Sequence, residues 1–183
     1  MTETDEVIFL CGFMAAGKTA VGQALAKELR YEFYDLDKEI ERKAGRRIKN
    51  IFKQSGEQRF REMEQKAMID FLQKKRCIVA LGGGALQNQQ LTAKIKNNSL
   101  LVFIDCPVSV ILERLRDDKT RPLLLEKDGS KKDDKTLRKE LKMLYEKRLP
   151  LYKQAKIVID SSAFSSPQET ALYLKNKVEV YER

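Results

Sequence analysis

The chain has 183 residues, of which 42% are hydrophobic and 34% are charged, and its formal net charge at pH 7 is +9. This length suits one folded domain over residues 1–183, and no apolar run is long enough to predict a transmembrane helix. The chain contains no His and no Trp, which excludes His-based catalytic dyads and most zinc sites. The acidic N-terminal residues are unlike a secretory signal peptide, and the three widely spaced cysteines lie in apolar runs. These features favour a cytoplasmic protein with buried, reduced thiols.

The first predicted element is a buried strand, Val7–Cys11, which leads into Gly-x-x-x-x-Gly-Lys-Thr at 12–19. A helical pattern follows, so the motif has the strand and the helix that a phosphate-binding loop requires. Its two glycines would allow a tight turn and let the backbone close around a phosphate. Lys18 would reach the β- and γ-phosphates, and the Thr19 hydroxyl would coordinate Mg²⁺. The motif therefore predicts a nucleoside-triphosphate site.

Strand-like runs alternate with helical patterns along the rest of the chain. Further strands are predicted at 32–34, 77–81, 100–104 and 157–160. Helices are predicted at 17–29, 38–44, 57–74, 88–96, 109–116, 135–149 and 166–181, with a short helical turn at 48–52. Gly56 should separate this turn from the next helix, and Pro150 should end the helix before the last strand. The alternation is typical of a three-layer α/β/α domain with a five-stranded parallel sheet.

Chemically useful residues follow three of the predicted strands. The phosphate-binding loop follows the first, Asp35 and Asp37 follow the second, and Gly82-Gly83-Gly84 follow the third. Ligands of open parallel sheets bind outside the carboxyl ends of the strands, so these residues should line one crevice. The aspartates could be turn or helix-cap residues, but beside a phosphate loop they could also serve a metal and an acceptor. Three consecutive glycines would let a substrate lie against the backbone.

Spacing alone leaves the role of three arginines open. Arg61 could be a solvated helix residue or the partner of Glu64, which lies three positions further along. Arg121 could be ordinary surface charge, or it could swing over the phosphates from residues 117–134, the segment expected to form a mobile lid. Arg148 lies at a predicted helix end, where a cation also suits the helix dipole.

Taken together, the motifs resemble those of the shikimate kinases, within the nucleoside-monophosphate-kinase-like branch of phosphate-loop proteins. The matching motifs are Gly-Phe-Met-x-x-Gly-Lys-Thr at 12–19, Asp35-x-Asp37, Ile-x-x-Ile-Phe-x-x-x-Gly-Glu-x-x-Phe-Arg-x-x-Glu at 48–64, Leu81-Gly82-Gly83-Gly84, Arg121-Pro122-Leu123-Leu124 and Arg148-x-Pro150-x-Tyr152. The resemblance implies ATP-dependent phosphorylation of the 3-hydroxyl of shikimate, with Mg²⁺ as cofactor, in aromatic amino acid biosynthesis. It also implies that ATP and shikimate are the partners, with no nucleic acid and no membrane. We expect a cytoplasmic monomer.

The resemblance also implies a role for each matching site residue. Asp37 would bond the reacting hydroxyl as base or orienter, while Lys18 and Arg121 would stabilise the phosphoryl group in transfer. Thr19 would bind Mg²⁺ directly and Asp35 would do so through water. The residues implied for nucleotide binding are Gly12, Ala15, Ala16, Gly17, Lys18, Thr19, Ala20, Arg114 and Arg121. Those implied for shikimate binding are Asp37, Arg61, Gly82, Gly83, Gly84 and Arg148, with a helical segment at 37–64 forming much of the acceptor side.

Two features depart from the family pattern. Ala15 stands where many members have a second glycine, and its methyl group is expected to be tolerated if φ stays negative. The interval from Arg121 to Arg148 is longer than usual, with extra residues around 126–134. This insertion affects the expected lid geometry and not the chemistry. The adenine contacts after the fifth strand, around 161–166, do not transfer from the family.

Two other kinds of function stay open at this point. A gluconate- or nucleotide-type kinase could use the same fold, although the arginines and the triple glycine better suit a carboxylated polyol. The net charge also leaves open a non-catalytic nucleotide-binding or nucleic-acid-binding protein. Residues 113–156 hold 15 Lys or Arg against 9 Asp or Glu, but their aromatic residues are only Tyr145 and Tyr152. Single-stranded nucleic-acid binders typically carry more stacking aromatics among their basic residues.

Overall fold

The computed structural model describes residues 6–116, 118, 122–126 and 130–181. Five parallel strands form one sheet in the order β2-β3-β1-β4-β5. The strands are β1 Val7–Cys11, β2 Glu32–Asp35, β3 Cys77–Ala80, β4 Leu100–Asp105 and β5 Ile157–Asp160. The predicted α/β class and five-stranded parallel sheet are confirmed.

Seven α-helices are found in the described residues. They are α1 Lys18–Leu29, α2 Leu36–Ala44, α3 Ile48–Leu72, α4 Gln89–Asn98, α5 Val108–Leu115, α6 Asp134–Tyr152 and α7 Pro167–Tyr181. The connection from β1 to β2 crosses the sheet in one direction and the later connections cross it in the other. Because parallel crossovers are right-handed, α1 lies on one face and the later connecting helices lie on the opposite face. Helix α7 packs against α1, so the sheet has helices on both sides.

The core follows from this layering. Strands β1, β3 and almost all of β4 are buried, which explains why they read as continuous apolar runs instead of alternating patterns. Gly22 of α1 allows a close approach to the sheet, because a Cβ there would lie 2.5 Å from the ring of Phe33. No helix in the described ranges is long and apolar enough to span a bilayer.

Two predicted helix boundaries have different outcomes. The break at Gly56 is confirmed, since this residue has φ 78° and ψ 169° inside α3. The prediction that Pro150 ends its helix is wrong, because α6 continues through it to Tyr152. A proline so close to the end removes one late hydrogen bond, and the burial of Tyr152 beyond it favours the helical continuation.

The extra residues after Arg121 contain a short antiparallel pairing. Leu125 and Lys131 form an isolated bridge, and the Lys132 N–H donates to the Leu124 carbonyl at 3.0 Å. Asp133 then caps α6, accepting from the N–H groups of Lys135 and Thr136. The described part of the insertion is thus joined directly to the start of α6.

Candidate active site

A cavity of about 560 Å³ lies at the carboxyl ends of the strands. Its walls come from the phosphate-binding loop, the ends of β2 and β3, helix α5 and the segment after β5. Among the predicted site residues, it is lined by Ala15, Ala16, Gly17, Lys18, Thr19, Ala20, Asp35, Asp37, Gly82, Gly83 and Arg114. The strand order therefore brings three separate motifs to one crevice, as expected for an open parallel sheet.

The phosphate-binding loop closes on itself around the Lys18 side chain. Lys18 Nζ donates to the carbonyl oxygens of Gly12 at 2.9 Å and Phe13 at 2.7 Å. Gly12 has φ 143°, and a Cβ atom on it would lie 2.3 Å from the Ile104 carbonyl oxygen. Glycine is therefore required at this turn, because any side chain would collide with the backbone of β4.

Ala15 adopts a left-handed conformation, with φ 55°. The condition of a negative φ, under which the methyl group was expected to be tolerated, is therefore not met. A left-handed backbone costs roughly 1–2 kcal/mol for an L-residue other than glycine, so the loop holds Ala15 in a strained state. Arg114 Nη1 donates to the Ala15 carbonyl oxygen at 2.9 Å, which ties this turn to α5.

The side chain of Thr19, at the start of α1, meets that of Asp35, at the end of β2. The Thr19 hydroxyl donates to Oδ2 of Asp35 at 3.2 Å. The other carboxylate oxygen of Asp35 accepts from the Lys38 N–H at 3.3 Å and caps α2. The helix-cap interpretation thus holds for Asp35, but the cap leaves Oδ2 directed at Thr19 and available to share a cation.

Asp37 lies against the first of the three glycines. A Cβ atom on Gly82 would be 2.9 Å from Oδ1 of Asp37, so a side chain at this position would displace the carboxylate. Burial raises the pKa of the Asp37 carboxyl above its usual range, and the negative charge of Asp35 raises it further, while Lys18 opposes the rise. Asp37 is therefore a stronger proton acceptor than an exposed aspartate.

The other two glycines lie against the predicted arginines. A Cβ atom on Gly83 would be 3.0 Å from Nη1 of Arg148, and one on Gly84 would be 3.0 Å from Nη2 of Arg61. Each glycine in the row thus faces a different side chain that the sequence assigned to the acceptor. The absence of side chains lets three charged groups approach a single stretch of backbone.

Arg61 and Arg148 differ in how their guanidinium groups are occupied. Arg61 bonds Glu64 at 2.7 Å, as the spacing allowed, and Glu57 at 3.1 Å. Glu64 is only 2% exposed, and this burial raises the pKa of its carboxyl while Arg61 opposes the rise. Arg148 Nε is buried and has no hydrogen-bond partner within the described residues. A buried donor without a partner is uncommon in folded proteins.

Comparison with known proteins identifies the relatives of this chain. The family model described as shikimate kinase matches residues 14–179. The shikimate kinase of Persephonella marina is 39% identical over 161 residues, which cover 88% of this chain and 92% of that protein. A structure of shikimate kinase from Acinetobacter baumannii in complex with shikimate is 33% identical, with a TM-score of 0.85 over 98% of this chain and 96% of that chain. The crystal structure of shikimate kinase from Bacteroides thetaiotaomicron is 29% identical, with a TM-score of 0.87 over 95% of this chain and 98% of that one.

The chain belongs to the shikimate kinase family. It is therefore a kinase that uses ATP to phosphorylate shikimate, and the resemblance found in its motifs is confirmed. The gluconate- and nucleotide-type kinases and the non-catalytic binding protein are no longer favoured. Arg121 lies outside the described residues, so its predicted role stays a prediction.

Two residues that shape this kinase site had no role in the predictions. The Ser161 hydroxyl lies 2.8 Å from the carbonyl oxygen of Ala16 and 3.0 Å from that of Asp105, so it links the phosphate-binding loop to the end of β4. The Tyr152 hydroxyl donates to the Gly83 carbonyl oxygen at 2.6 Å. Tyr152 was visible as part of a motif, whereas Ser161 had no local signal because its loop partner is 145 residues away.

The segment after β5 also forms part of the cavity wall. The lining residues in this segment are Ser161, Phe164, Ser165, Ser166, Pro167 and Thr170. No family contact could be assigned to these positions from the sequence. The structure places them on the same side of the cavity wall as the phosphate-binding loop, through the contact between Ser161 and Ala16.

Proposed function

We propose that this kinase transfers the γ-phosphoryl group of ATP to the 3-hydroxyl of shikimate, with Asp37 on the hydroxyl and Arg61 and Arg148 on the carboxylate. The row of three glycines supports this assignment, because Asp37, Arg148 and Arg61 each lie against one of them. Shikimate would thus lie along the backbone of these three glycines, with its carboxylate near the two arginines and its reacting hydroxyl near Asp37. A guanidinium group suits a carboxylate, since it carries parallel N–H donors. At Arg61 the carboxylate of shikimate would take the place of the exposed Glu57, which now accepts from Nε and Nη2.

On the donor side, we propose that the loop 12–19 and Ala20 bind the phosphates of ATP. Lys18 Nζ now bonds two loop carbonyl oxygens, and phosphate oxygens would replace them as stronger, charged acceptors. The loop N–H groups and the N-terminus of α1 add partial positive charge to the same place. Arg114, which already contacts the Ala15 carbonyl oxygen, would lie beside the nucleotide.

Thr19 and Asp35 fit a magnesium ion. Both offer hard oxygen ligands, and the two side chains are 3.2 Å apart at the mouth of the phosphate-binding loop. Mg²⁺ usually keeps several waters and is bound through one or two protein groups together with the phosphates of the substrate, so these two side chains would suffice. Mg²⁺ would supply charge neutralisation on the phosphate oxygens.

Asp37 would carry the proton step. Its carboxylate accepts a hydrogen bond from the 3-hydroxyl of shikimate, which turns an oxygen lone pair towards the γ-phosphorus. As the new O–P bond forms, the hydroxyl proton passes to Asp37, and the bond from phosphorus to the leaving oxygen of ADP breaks. The raised pKa of Asp37 favours this transfer, while Lys18 stabilises the negative charge on the phosphoryl oxygens.

We also propose the organisation around this site. Residues 117–134 would form a lid that brings Arg121 over the phosphates, and residues 37–64 would form the acceptor side of one domain. The protein would act as a cytoplasmic monomer with only ATP and shikimate as partners, since the residues proposed to bind the two substrates all belong to one chain. Sedimentation of the active enzyme would test the monomer.

The test is a coupled assay of ADP release with ATP and Mg²⁺, with and without shikimate. We expect turnover that depends on shikimate and that does not occur with gluconate or a nucleoside monophosphate as acceptor. The phosphorus NMR spectrum of the product shows which hydroxyl of shikimate carries the new phosphate. Folded protein without shikimate-dependent turnover would contradict the proposal, and phosphorylation of another hydroxyl would contradict the placement of Asp37.

A further inference from the structure

We propose that Tyr152 is a positioning residue for the acceptor, whose hydroxyl holds the Gly83 carbonyl in place beside Arg148. The inference rests on the proposed function, because it concerns how the carboxylate of shikimate is received. Tyr152 does not reach the reacting atoms in this role. It sets the distance between the backbone of Gly83 and the side chain of Arg148.

The Tyr152 hydroxyl, the Gly83 backbone and the Arg148 guanidinium group lie close together in the structure. The Tyr152 hydroxyl donates to the Gly83 carbonyl oxygen at 2.6 Å. A Cβ atom on Gly83 would lie 3.0 Å from Nη1 of Arg148 and 3.6 Å from the Tyr152 hydroxyl oxygen. Arg148 and Tyr152 are four residues apart on α6, so they lie one above the other on the same helix face. The hydroxyl therefore joins the helix that carries Arg148 to the loop that forms the floor.

The Tyr152 hydroxyl is a dependable donor at neutral pH. Burial raises the pKa of Tyr152 to about 12, although the neighbouring charge of Arg148 opposes the rise. The proton is therefore present throughout the pH range in which the kinase would work. The carbonyl oxygen of Gly83 consequently has a permanent partner from α6.

The ring of Tyr152 is held firmly in the core of the protein. Tyr152 is 1% exposed, and its ring centroid lies 5.2 Å from that of Phe103 in β4. Its backbone carbonyl also accepts a weak hydrogen bond from the Cys11 thiol at 4.0 Å. Glycine has more conformational freedom than any other residue. Backbone N–H groups bond the carbonyl oxygens of Gly82 and Gly84, and the Tyr152 hydroxyl supplies the partner of the Gly83 carbonyl oxygen between them. The Tyr152 hydroxyl therefore connects the packed core to the backbone of Gly83.

A role in core packing alone would need the ring and not the hydroxyl. Tyr152→Phe separates the two, because it keeps the ring on Phe103 and removes the hydroxyl, with its bond to the Gly83 carbonyl and its hydrogen bond with Arg148. Tyr145→Phe is the matched control on the same helix. The Tyr145 hydroxyl donates to Asp105 at 2.8 Å, away from the glycine row, so the same atom is removed from a hydrogen bond of similar length.

The experiment compares both variants with the wild type in the coupled assay, with thermal unfolding measured alongside. We expect Tyr152→Phe to raise the KM for shikimate about 3- to 10-fold, the loss typical of one neutral hydrogen bond, and to leave the KM for ATP within about twofold. Tyr145→Phe should leave the KM for shikimate within about twofold. With the carboxamide of shikimate as acceptor, the effect of Tyr152→Phe should shrink to within about twofold, because the neutral amide makes weaker use of Arg148.

Several outcomes would overturn the proposal. An unchanged KM for shikimate in Tyr152→Phe, an equal rise in both KM values, or the same rise in Tyr145→Phe would each contradict it. A Tyr152→Phe chain that does not fold would assign the hydroxyl to the core, which also contradicts it. If the wild type itself lacked shikimate-dependent turnover, the proposed function would fail together with this inference. An active wild type and an unaltered variant would contradict the inference alone.

Discussion

Asp37 illustrates how a single residue acquires its chemistry from its surroundings. Its carboxylate lies against Gly82, is partly buried, and has the negative charge of Asp35 nearby. Lys18, whose Nζ lies on the phosphate-binding loop, opposes the effect of these neighbours. The carboxylate is thus a strengthened base held close to the cation that would stabilise the transferred group.

We expect Asp37→Asn to lower turnover by at least about a hundredfold and to leave ATP affinity nearly intact, because the amide cannot accept the proton. Turnover is measured in the coupled assay and ATP affinity by calorimetric titration. Glu39→Gln, on the same helix and outside the cavity wall, is the control and should leave turnover unaltered. Unchanged turnover in Asp37→Asn would remove the catalytic role of this carboxylate.

Ala15 gives a second prediction for a single residue. Because its φ of 55° is unfavourable for alanine, Ala15→Gly should raise the free energy of unfolding by up to about 1 kcal/mol. Ala16→Gly is the matched control, since Ala16 is fully buried and has no left-handed strain to relieve. Urea denaturation should show a gain for the first variant and a loss for the second. A loss in both variants would show that strain at Ala15 does not limit stability.

At the scale of elements, the proposed acceptor side and the proposed donor side are held by different parts of the fold. Helix α6 carries Arg148 and Tyr152, and both reach the glycine row after β3. The turn after β5 carries Ser161, which reaches the phosphate-binding loop through the Ala16 carbonyl. Support for the acceptor side and support for the donor side should therefore be separable by mutation.

Ser161→Ala tests the donor side. Removing the hydroxyl leaves the Ala16 and Asp105 carbonyl oxygens without this donor, so we expect the KM for ATP to rise about 3- to 10-fold. The KM for shikimate should stay within about twofold. Ser162→Ala is the neighbouring control, because the Ser162 hydroxyl donates to the exposed Asp160 side chain at 2.7 Å and not to the phosphate-binding loop. Equal changes in both KM values would indicate a general loss of structure instead of a local effect on the loop.

Across the whole molecule, the active site has a cost in stability. Glu64 is buried and Asp37 is partly buried in the folded chain, and the loss of solvent raises the pKa of each carboxyl. The folded state therefore holds protons that the unfolded state has already released. The free energy of unfolding falls as pH rises from the ordinary carboxyl pKa to the raised pKa of the folded state. Above that raised pKa the whole destabilisation by these two carboxylates is present.

Asp37→Asn should consequently raise the free energy of unfolding at pH 7 while it abolishes most activity. The gain should shrink as pH falls through the raised pKa of Asp37 and disappear below the ordinary aspartate pKa, where the wild-type carboxyl is protonated in both states. Urea denaturation at several pH values measures it. Asp70→Asn, which changes an exposed carboxylate paired with Lys43, should give no such pH-dependent gain. A variant less stable than wild type at pH 7 would contradict this account.

The sequence by itself determined the sheet, the phosphate-binding loop and the family. Buried strands read as continuous apolar runs, and the loop motif, Asp35-x-Asp37 and the three glycines each lie within a few residues of a strand end. Such signals are local, and the rule that parallel strands present their carboxyl ends together was enough to expect one crevice. The break at Gly56 was predictable for the same reason, because a glycine interrupts a helical pattern where it stands.

Only the tertiary structure decided which side chains meet. Tyr152 and Gly83 are 69 residues apart, and Ser161 and Ala16 are 145 apart, so no periodicity relates them. The left-handed backbone of Ala15 and the continuation of α6 past Pro150 likewise depend on packing that outweighs local preference. A local sequence pattern indicates whether a segment is a helix or a strand and which of its faces packs against the core. The pairing of one glycine with Asp37, one with Arg148 and one with Arg61 depends on how separate elements are placed against each other in three dimensions.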